Sequence, residues 1–257
     1  MSRDYIPGAE PLFLAGTDAG CLLLHGGGGG TTWDLKEFAN RLHSETGWTV
    51  WLPALSGFGT RPEDLESVTF DDLLADANAG LDMLLDTCQV VYVVGHSAGG
   101  LLSLVLASER KEVSGVVTWA APVTLKVRNF SLLSTVSRIP LLRRALPKRY
   151  PAPVPQWLKD QGWIGYEELP ISIGFIMLHG IHTLKERLGQ VTCPVLIMQG
   201  SEDSVVKRES MMIIHDGLSS VRKEMYIIDG ADHPMMNQEA YKENLFYHTI
   251  SFLQSIR

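Results

Sequence analysis

The sequence predicts an α/β domain: a mostly parallel central sheet with helices on both faces and a small helical cap inserted mid-chain. Three observations predict it. Short apolar runs alternate with amphipathic stretches along both ends of the chain, which is the pattern of repeated βα units. Val90–Val94 and Val113–Ala120 are apolar without polar alternation, as strands buried on both faces are. The alternation stops at Pro122 and resumes near Gln190. The intervening stretch is too long for a structureless loop in a compact domain. Residues 1–121 and 190–257 are therefore expected to form the core, and 122–189 the cap. A chain of 257 residues suits one such core.

The elements follow in order. Leu12–Ala15 and Cys21–Leu24 read as short strands. Thr32 or Asp34 can cap a helix reaching about Glu45, with Leu35, Phe38, Ala39 and Leu42 on one face and Gly47 ending it. Thr49–Ala54 reads as a strand and Asp71–Asp86 as an amphipathic helix. The strand Val90–Val94 leads through Gly95-His96-Ser97-Ala98-Gly99-Gly100 into a helix to about Arg110. Val113–Ala120 is another strand. The cap stretch is rich in proline and aromatics, with helical pieces expected at Leu132–Leu146 and Ile176–Leu188. Pro194–Met198, a helix to about His215, Glu224–Ile228 and a last helix over Gln238–Leu253 complete the chain.

Chemistry concentrates after the strands. Gly95-x-Ser97-x-Gly99 lies between a buried strand and a helix, the context in which this motif holds a nucleophile on a sharp turn. After Cys21–Leu24 comes His25 followed by five glycines, Gly26 to Gly30. Such a run makes neither helix nor good strand, but its N–H groups can approach a ligand unobstructed. It is not a phosphate loop, because Thr31-Thr32-Trp33 follows and no lysine is near. A dinucleotide fingerprint also fails, since the following strand has no terminal acid. The run suits an oxyanion loop, with the N–H groups of Gly27 and Ala98 as the two donors.

A serine hydroxyl needs a base, and a neutral histidine needs a carboxylate to hold its tautomer. Two late strands are followed by Gly200-Ser201-Glu202-Asp203 and Gly230-Ala231-Asp232-His233. Ser97, Asp203 and His233 then all fall at the C-terminal ends of parallel strands, where sites in open α/β sheets form. Glu202 and Asp232 are rival acids, and turn geometry decides among the three. Of the other histidines, His96 sits beside the serine on the turn and is read as pointing elsewhere, and His25 as structural. His43, His215 and His248 lie on helices. His179 and His182 could share a face, but two ligands make no metal site, and no metal or cofactor is expected.

Composition limits the alternatives. The net charge of −7 argues against nucleic acid, although Arg143, Arg144, Lys148 and Arg149 form a local basic cluster read as a solvated helix end. Three cysteines, Cys21, Cys88 and Cys193, have no zinc or disulfide spacing. No run reaches transmembrane length and the first residues lack an apolar leader, so a cytoplasmic monomer or homodimer without stable membrane insertion is expected.

Leu23-Leu24-His25-Gly26-Gly27, the Ser97 motif and the two late loops together resemble the α/β-hydrolase superfamily. Length and the mid-chain cap are similar to small bacterial carboxylesterases and monoacylglycerol lipases. That resemblance implies an α/β-hydrolase fold, Ser97 as nucleophile, Asp203 and His233 as its partners, and Gly27 and Ala98 as oxyanion hole. The small-molecule substrate it implies is an aliphatic, short- to medium-chain carboxylic ester, cleaved through an acyl-enzyme. A monoacylglycerol lipase, another triad hydrolase (thioesterase, C–C hydrolase or cofactor-free perhydrolase) and a non-catalytic ligand receptor are the alternatives. Gly28, Trp119, Phe130, Trp157, Trp163, Phe175 and Met235 are the expected pocket residues. The departure from those esterases is Gly27, where they carry a side chain; extra room for tertiary-alcohol esters is the expectation.

Overall fold

A computed structural model of the chain describes residues 4–126 and 148–257. In order the elements are β1 (Leu12–Leu14), β2 (Thr17–Leu24), α1 (Trp33–Thr46), β3 (Trp48–Leu52), α2 (Phe70–Leu85), β4 (Val90–His96), α3 (Ala98–Glu109) and β5 (Val113–Trp119). Then come β6 (Arg149–Pro151), α4 (Gln156–Asp160), β7 (Glu168–Pro170), α5 (Ser172–Arg187), β8 (Val195–Gly200), α6 (Glu209–Gly217), β9 (Lys223–Ile228) and α7 (Lys242–Ser255).

Seven strands form one sheet in the order β1-β3-β2-β4-β5-β8-β9. β1 pairs antiparallel with β3, and every other neighbouring pair is parallel. Period-two side-chain alternation divides the core between the two faces. Leu22, Leu24, Val91, Val93, Val116, Val195 and Ile197 face α2, α3 and α5. Cys21, Leu23, Tyr92, Val94, Val117, Trp119, Leu196 and Met198 face α1 and α7. A one-residue slip in any strand would exchange these sets, so burial on both faces fixes the register.

Local chemistry starts and stops the helices. The Thr69 hydroxyl accepts from Asp72 N at 3.2 Å and the Asp72 carboxylate accepts from Thr69 N at 2.8 Å, a reciprocal cap that starts α2. Gly47, at φ 70°, ends α1 and donates its N–H to the His43 carbonyl. Among the described residues no helix is long and apolar enough to cross a membrane.

The register brings the C-terminal ends of the central strands level. Gly95 pairs with Leu24 on one side and Thr118 on the other, Trp119 with Met198, and Gly200 with Ile228. The loops after β2, β4, β5, β8 and β9 therefore leave the same edge, and everything chemical in the sequence sits on them.

Between β5 and β8 the structure differs from the expectation of helices alone. β6 and β7 pair antiparallel over three residues, Arg149 with Pro170 and Pro151 with Glu168. A pair this short, with proline at the end of each strand, leaves no period in the sequence. α5 begins at Ser172, before the expected Ile176, and packs Ile173, Ile176, Ile181 and Leu184 into the core. The expected helix at 132–146 and the basic residues Arg143 and Arg144 lie outside the described residues.

Candidate active site

Ser97 joins β4 to α3 at φ 52° and ψ −118°, a region that non-glycine residues rarely occupy. Crowding makes the flanking glycines obligatory. A Cβ on Gly95 would lie 2.2 Å from the Gly99 carbonyl oxygen, and one on Gly99 would lie 2.0 Å from that of Leu24. The turn is held from both sides. Ser97 N donates to the Trp119 carbonyl at 2.7 Å, and the Ser97 carbonyl accepts from Leu101 N at 3.0 Å. Strain of this kind costs about 1–3 kcal/mol and persists only where surroundings enforce it. Here it projects the serine side chain off the sheet edge, beside the free N–H groups of α3's first turn.

Of the three rival acids, Asp203 is the one that meets the His233 imidazole. His233 Nδ1 lies 3.1 Å from each oxygen of the Asp203 carboxylate. Oδ1 also accepts from Val205 N at 2.9 Å and Val206 N at 2.8 Å, and Oδ2 from Gln199 Nε2 at 3.2 Å. Burial pushes the Asp203 carboxyl upward. The His233 hydrogen bond and charge, with the two backbone donors, outweigh it and hold the group below the usual carboxylate value. The carboxylate is thus ionised and fixes Nδ1 as the protonated nitrogen, leaving Nε2 free for a proton. Glu202 is exposed, and Asp232 accepts instead from the N–H groups of Ser204 and His233. Lys126 closes the acid loop with a bond from Nζ to the Asp203 carbonyl.

His96, read as pointing away, lines the same cavity as Ser97 and His233. Its ring lies 4.8 Å from that of His233, and its Nε2 is 3.1 Å from the His233 carbonyl. Burial, then the His233 charge, push His96 down to about 3, so it is neutral, and Nε2 is its donor. No hydrogen bond joins Ser97 Oγ to His233 among the described residues; such bonds are often long in an empty enzyme and tighten on substrate.

The glycine loop lies against the elbow. A Cβ on Gly26 would meet His96 Nδ1 at 2.9 Å, and one on Gly27 would meet the Ala98 Cβ at 3.0 Å. Among the described residues neither Gly27 N nor Ala98 N donates to a protein acceptor. His25, fully buried, anchors the loop: Leu55 N donates to its Nε2 at 3.2 Å, which makes Nδ1 the donor to the Gly26 carbonyl at 3.0 Å. Burial lowers His25 to about 4, consistent with a neutral ring.

The last two glycines of the run are packed by other parts of the chain. Gly29, at φ 95°, packs under the inserted segment: a Cβ there would stand 2.5 Å from the Tyr166 carbonyl oxygen. Tyr166 N donates to the Gly29 carbonyl at 2.9 Å, and the Thr31 hydroxyl to that of Ile164 at 2.7 Å. Gly30 yields its side-chain space to the Asp34 carboxyl. Trp163 Nε1 donates to Asp34 Oδ1 at 3.0 Å. Gly29 and Gly30 thus admit other parts of this chain, whereas Gly28 faces the cavity.

Ser97, His96 and His233 open on a cavity of about 80 Å³. Gly26, Gly28, Gly30, Asp34, Trp163, Pro153–Pro155, Leu158, Val205, Pro234 and Met236 complete its wall. A wider groove of about 900 Å³, between Glu66–Phe70 and α5, contains none of the triad candidates.

Of the expected pocket residues, Gly28 and Trp163 line the cavity. Trp119 and Met235 do not: both are fully buried in the core on the α1 and α7 face, and Trp119 Nε1 bonds Thr249. Met236, one residue on, takes the wall position. Trp157 is half-buried on α4 outside the cavity wall, and Phe175 lines the wider groove. Phe130 lies outside the described residues. Asp34 is the wall residue that sequence reasoning treated as a helix cap. The sign that could have found it is a carboxylate in the helical turn directly after the glycine run.

Comparison with known proteins agrees with this arrangement. The model of the family described as serine aminopeptidase, S33 (Hydrolase_4) matches residues 16–240. A thermostable monoacylglycerol lipase of Bacillus sp. (strain H-257) is 32% identical over 237 residues, covering 91% of this chain and 90% of that protein. A Bacillus subtilis (strain 168) carboxylesterase is 23% identical over 225 residues, covering 87% and 88%. Among solved structures, one from work on the metagenome-derived lipolytic enzymes LipS and LipT superposes with a TM-score of 0.87 at 26% identity, covering 98% of this chain and 100% of that one.

Proposed function

The chain belongs to the serine aminopeptidase S33 family, on an α/β-hydrolase fold, and from that membership we propose that it is a serine carboxylesterase acting on aliphatic, short- to medium-chain esters. The observation that carries the reading is the bifurcated bond from His233 Nδ1 to the Asp203 carboxylate, with His233 facing one cavity beside a serine on a strained elbow. His233 Nε2 takes the Ser97 proton, and the alkoxide attacks the ester carbonyl. The N–H groups of Gly27 and Ala98 receive the developing oxyanion, each contributing about 10²–10³ in kcat. His233 returns the proton to the departing alcohol, leaving an acyl-enzyme. Water then repeats the sequence and frees the acid.

The apolar wall supports an aliphatic acyl group, and the small cavity supports short chains. A monoacylglycerol lipase is the second reading, favoured by the 32% identity to a protein so named. We take residues 122–189 as a cap over the cavity, since Pro153, Val154, Pro155, Leu158 and Trp163 contribute to its wall.

The test is hydrolysis of p-nitrophenyl esters from acetate to palmitate by the wild type and Ser97→Ala. Turnover peaking at short or medium chains and lost in Ser97→Ala is expected. A peak at palmitate would move the reading to a lipase. Absence of turnover at every length in a folded protein would overturn it.

A further inference from the structure

One group in the cavity is left without a task by this reading. The wall is apolar apart from glycine backbone and five polar side chains, those of Ser97, His233, His96, Trp163 and Asp34. Ser97 and His233 carry the chemistry. His96 uses Nε2 on the His233 carbonyl, and its Nδ1 is closed off against Gly26. Trp163 uses its only donor on Asp34 Oδ1. Asp34 keeps capacity to spare. Its residue is 6% exposed, and among the described residues no lysine, arginine or histidine pairs with it.

A carboxyl in so apolar a place is costly when ionised. Burial raises Asp34 to about 7, against the hydrogen bonds from Trp163 and the Thr31 backbone and against the charge of His233. Near neutrality it therefore presents both an O–H donor and an oxygen acceptor. The complement of such a pair is another hydroxyl. The side on which that hydroxyl arrives follows from the proton route. The alcohol leaves past His233, and Asp34 lines the same cavity as His233 and Ser97.

We propose that Asp34 is a specificity-determining residue, hydrogen-bonding a free hydroxyl on the alcohol portion of the ester, so that esters of a polyol are preferred to esters of a simple alcohol. This rests on the esterase reading above.

The experiment compares kcat/KM for 1-monobutyrylglycerol and ethyl butyrate, which share one acyl group, in the wild type, Asp34→Asn and Asp34→Leu. Because both esters use the same triad, its contribution cancels in their ratio. The wild-type ratio is expected to favour the glycerol ester by roughly tenfold, the value of one well-made buried hydrogen bond. Asp34→Leu should bring the ratio close to one. Asp34→Asn, which keeps a donor and an acceptor, should restore most of the preference. Equal loss on both esters would show a purely structural Asp34 and overturn the proposal, as would a wild-type ratio near one. Should Asp34→Leu fail to fold, product inhibition of the wild type decides: glycerol should inhibit p-nitrophenyl butyrate hydrolysis several-fold more strongly than 1-propanol, and equal inhibition refutes the assignment. Wild-type protein inactive on all three esters would sink the esterase reading itself, and this inference with it. Activity without discrimination would sink this inference alone.

Discussion

The ring of His96 packs on that of His233 at 4.8 Å, and its Nε2 reaches the His233 carbonyl at 3.1 Å. The residue before the proposed nucleophile thus braces the histidine expected to activate it, across 137 residues of sequence. Replacing His96 with alanine removes that donor and the ring contact. A bond of this kind is worth about 1–1.5 kcal/mol, so kcat should fall roughly tenfold with little change in KM. Steady-state kinetics on p-nitrophenyl butyrate checks this; an unchanged kcat would show that His233 is oriented by Asp203 alone.

Asp203→Asn tests the other side of the same imidazole. Asparagine can donate to Nδ1 and so stabilise the wrong tautomer, and kcat should fall by about 10⁴. The substitution also changes acid stability. Asp203 lies below the ordinary carboxylate value in the folded chain, so it adds stability that is present above that ordinary value and lost as pH falls through the depressed one. Urea unfolding between pH 3 and 6 should show a shallower acid loss in Asp203→Asn than in the wild type.

Asp34 has the opposite sign. Its folded value of about 7 stands above the ordinary 3.8, so the stability it contributes is complete below pH 3.8 and is lost as pH rises through 7. The loss is on the order of 2–4 kcal/mol. His233 and His96 are the titratable groups that face the same cavity. Asp34→Asn should therefore gain stability relative to the wild type between pH 4.5 and 8, read as a difference in urea midpoint at the two ends. A constant difference across that range would mean Asp34 does not titrate there.

The glycines offer a paired test. Gly162 sits at φ 79° with nothing within 4 Å of the place a Cβ would take, whereas Gly29 sits at φ 95° under the Tyr166 carbonyl. Gly162→Ala should cost only the backbone strain, about 1–2 kcal/mol. Gly29→Ala should cost that and a further 1–3 kcal/mol, roughly, for the overlap. Thermal melts of the two variants measure the difference directly.

Much of this was legible in the sequence because it is written in short-range patterns. The βα alternation, the Gly95-x-Ser97-x-Gly99 turn between strand and helix, and the order of the late acid and histidine are all local signals, and the sheet follows them. The choice of Asp203 over Glu202 and Asp232 was not legible. It depends on which side chain of one turn faces across to another, and the backbone donors of Val205 and Val206 settle it. Trp119 shows a subtler limit. Strand alternation puts Val117 and Trp119 on one face, but only the packing of Phe38 and Phe246 reveals that this face is the one behind the site. Asp34 was hidden by its position, since a carboxylate in a first helical turn has an ordinary explanation as a capping group. The β6–β7 pair was too short to leave a period.

The loop from Gly26 to Gly30 has two neighbours at once. Its first glycines press on the Ser97 turn, and its last ones are stitched to Trp163–Tyr166. Seating of the inserted segment is therefore mechanically coupled to the alignment of the N–H groups proposed to receive the oxyanion. On the proposed mechanism, loosening the stitch at Tyr166 or Ile164 would be felt in kcat more than in KM.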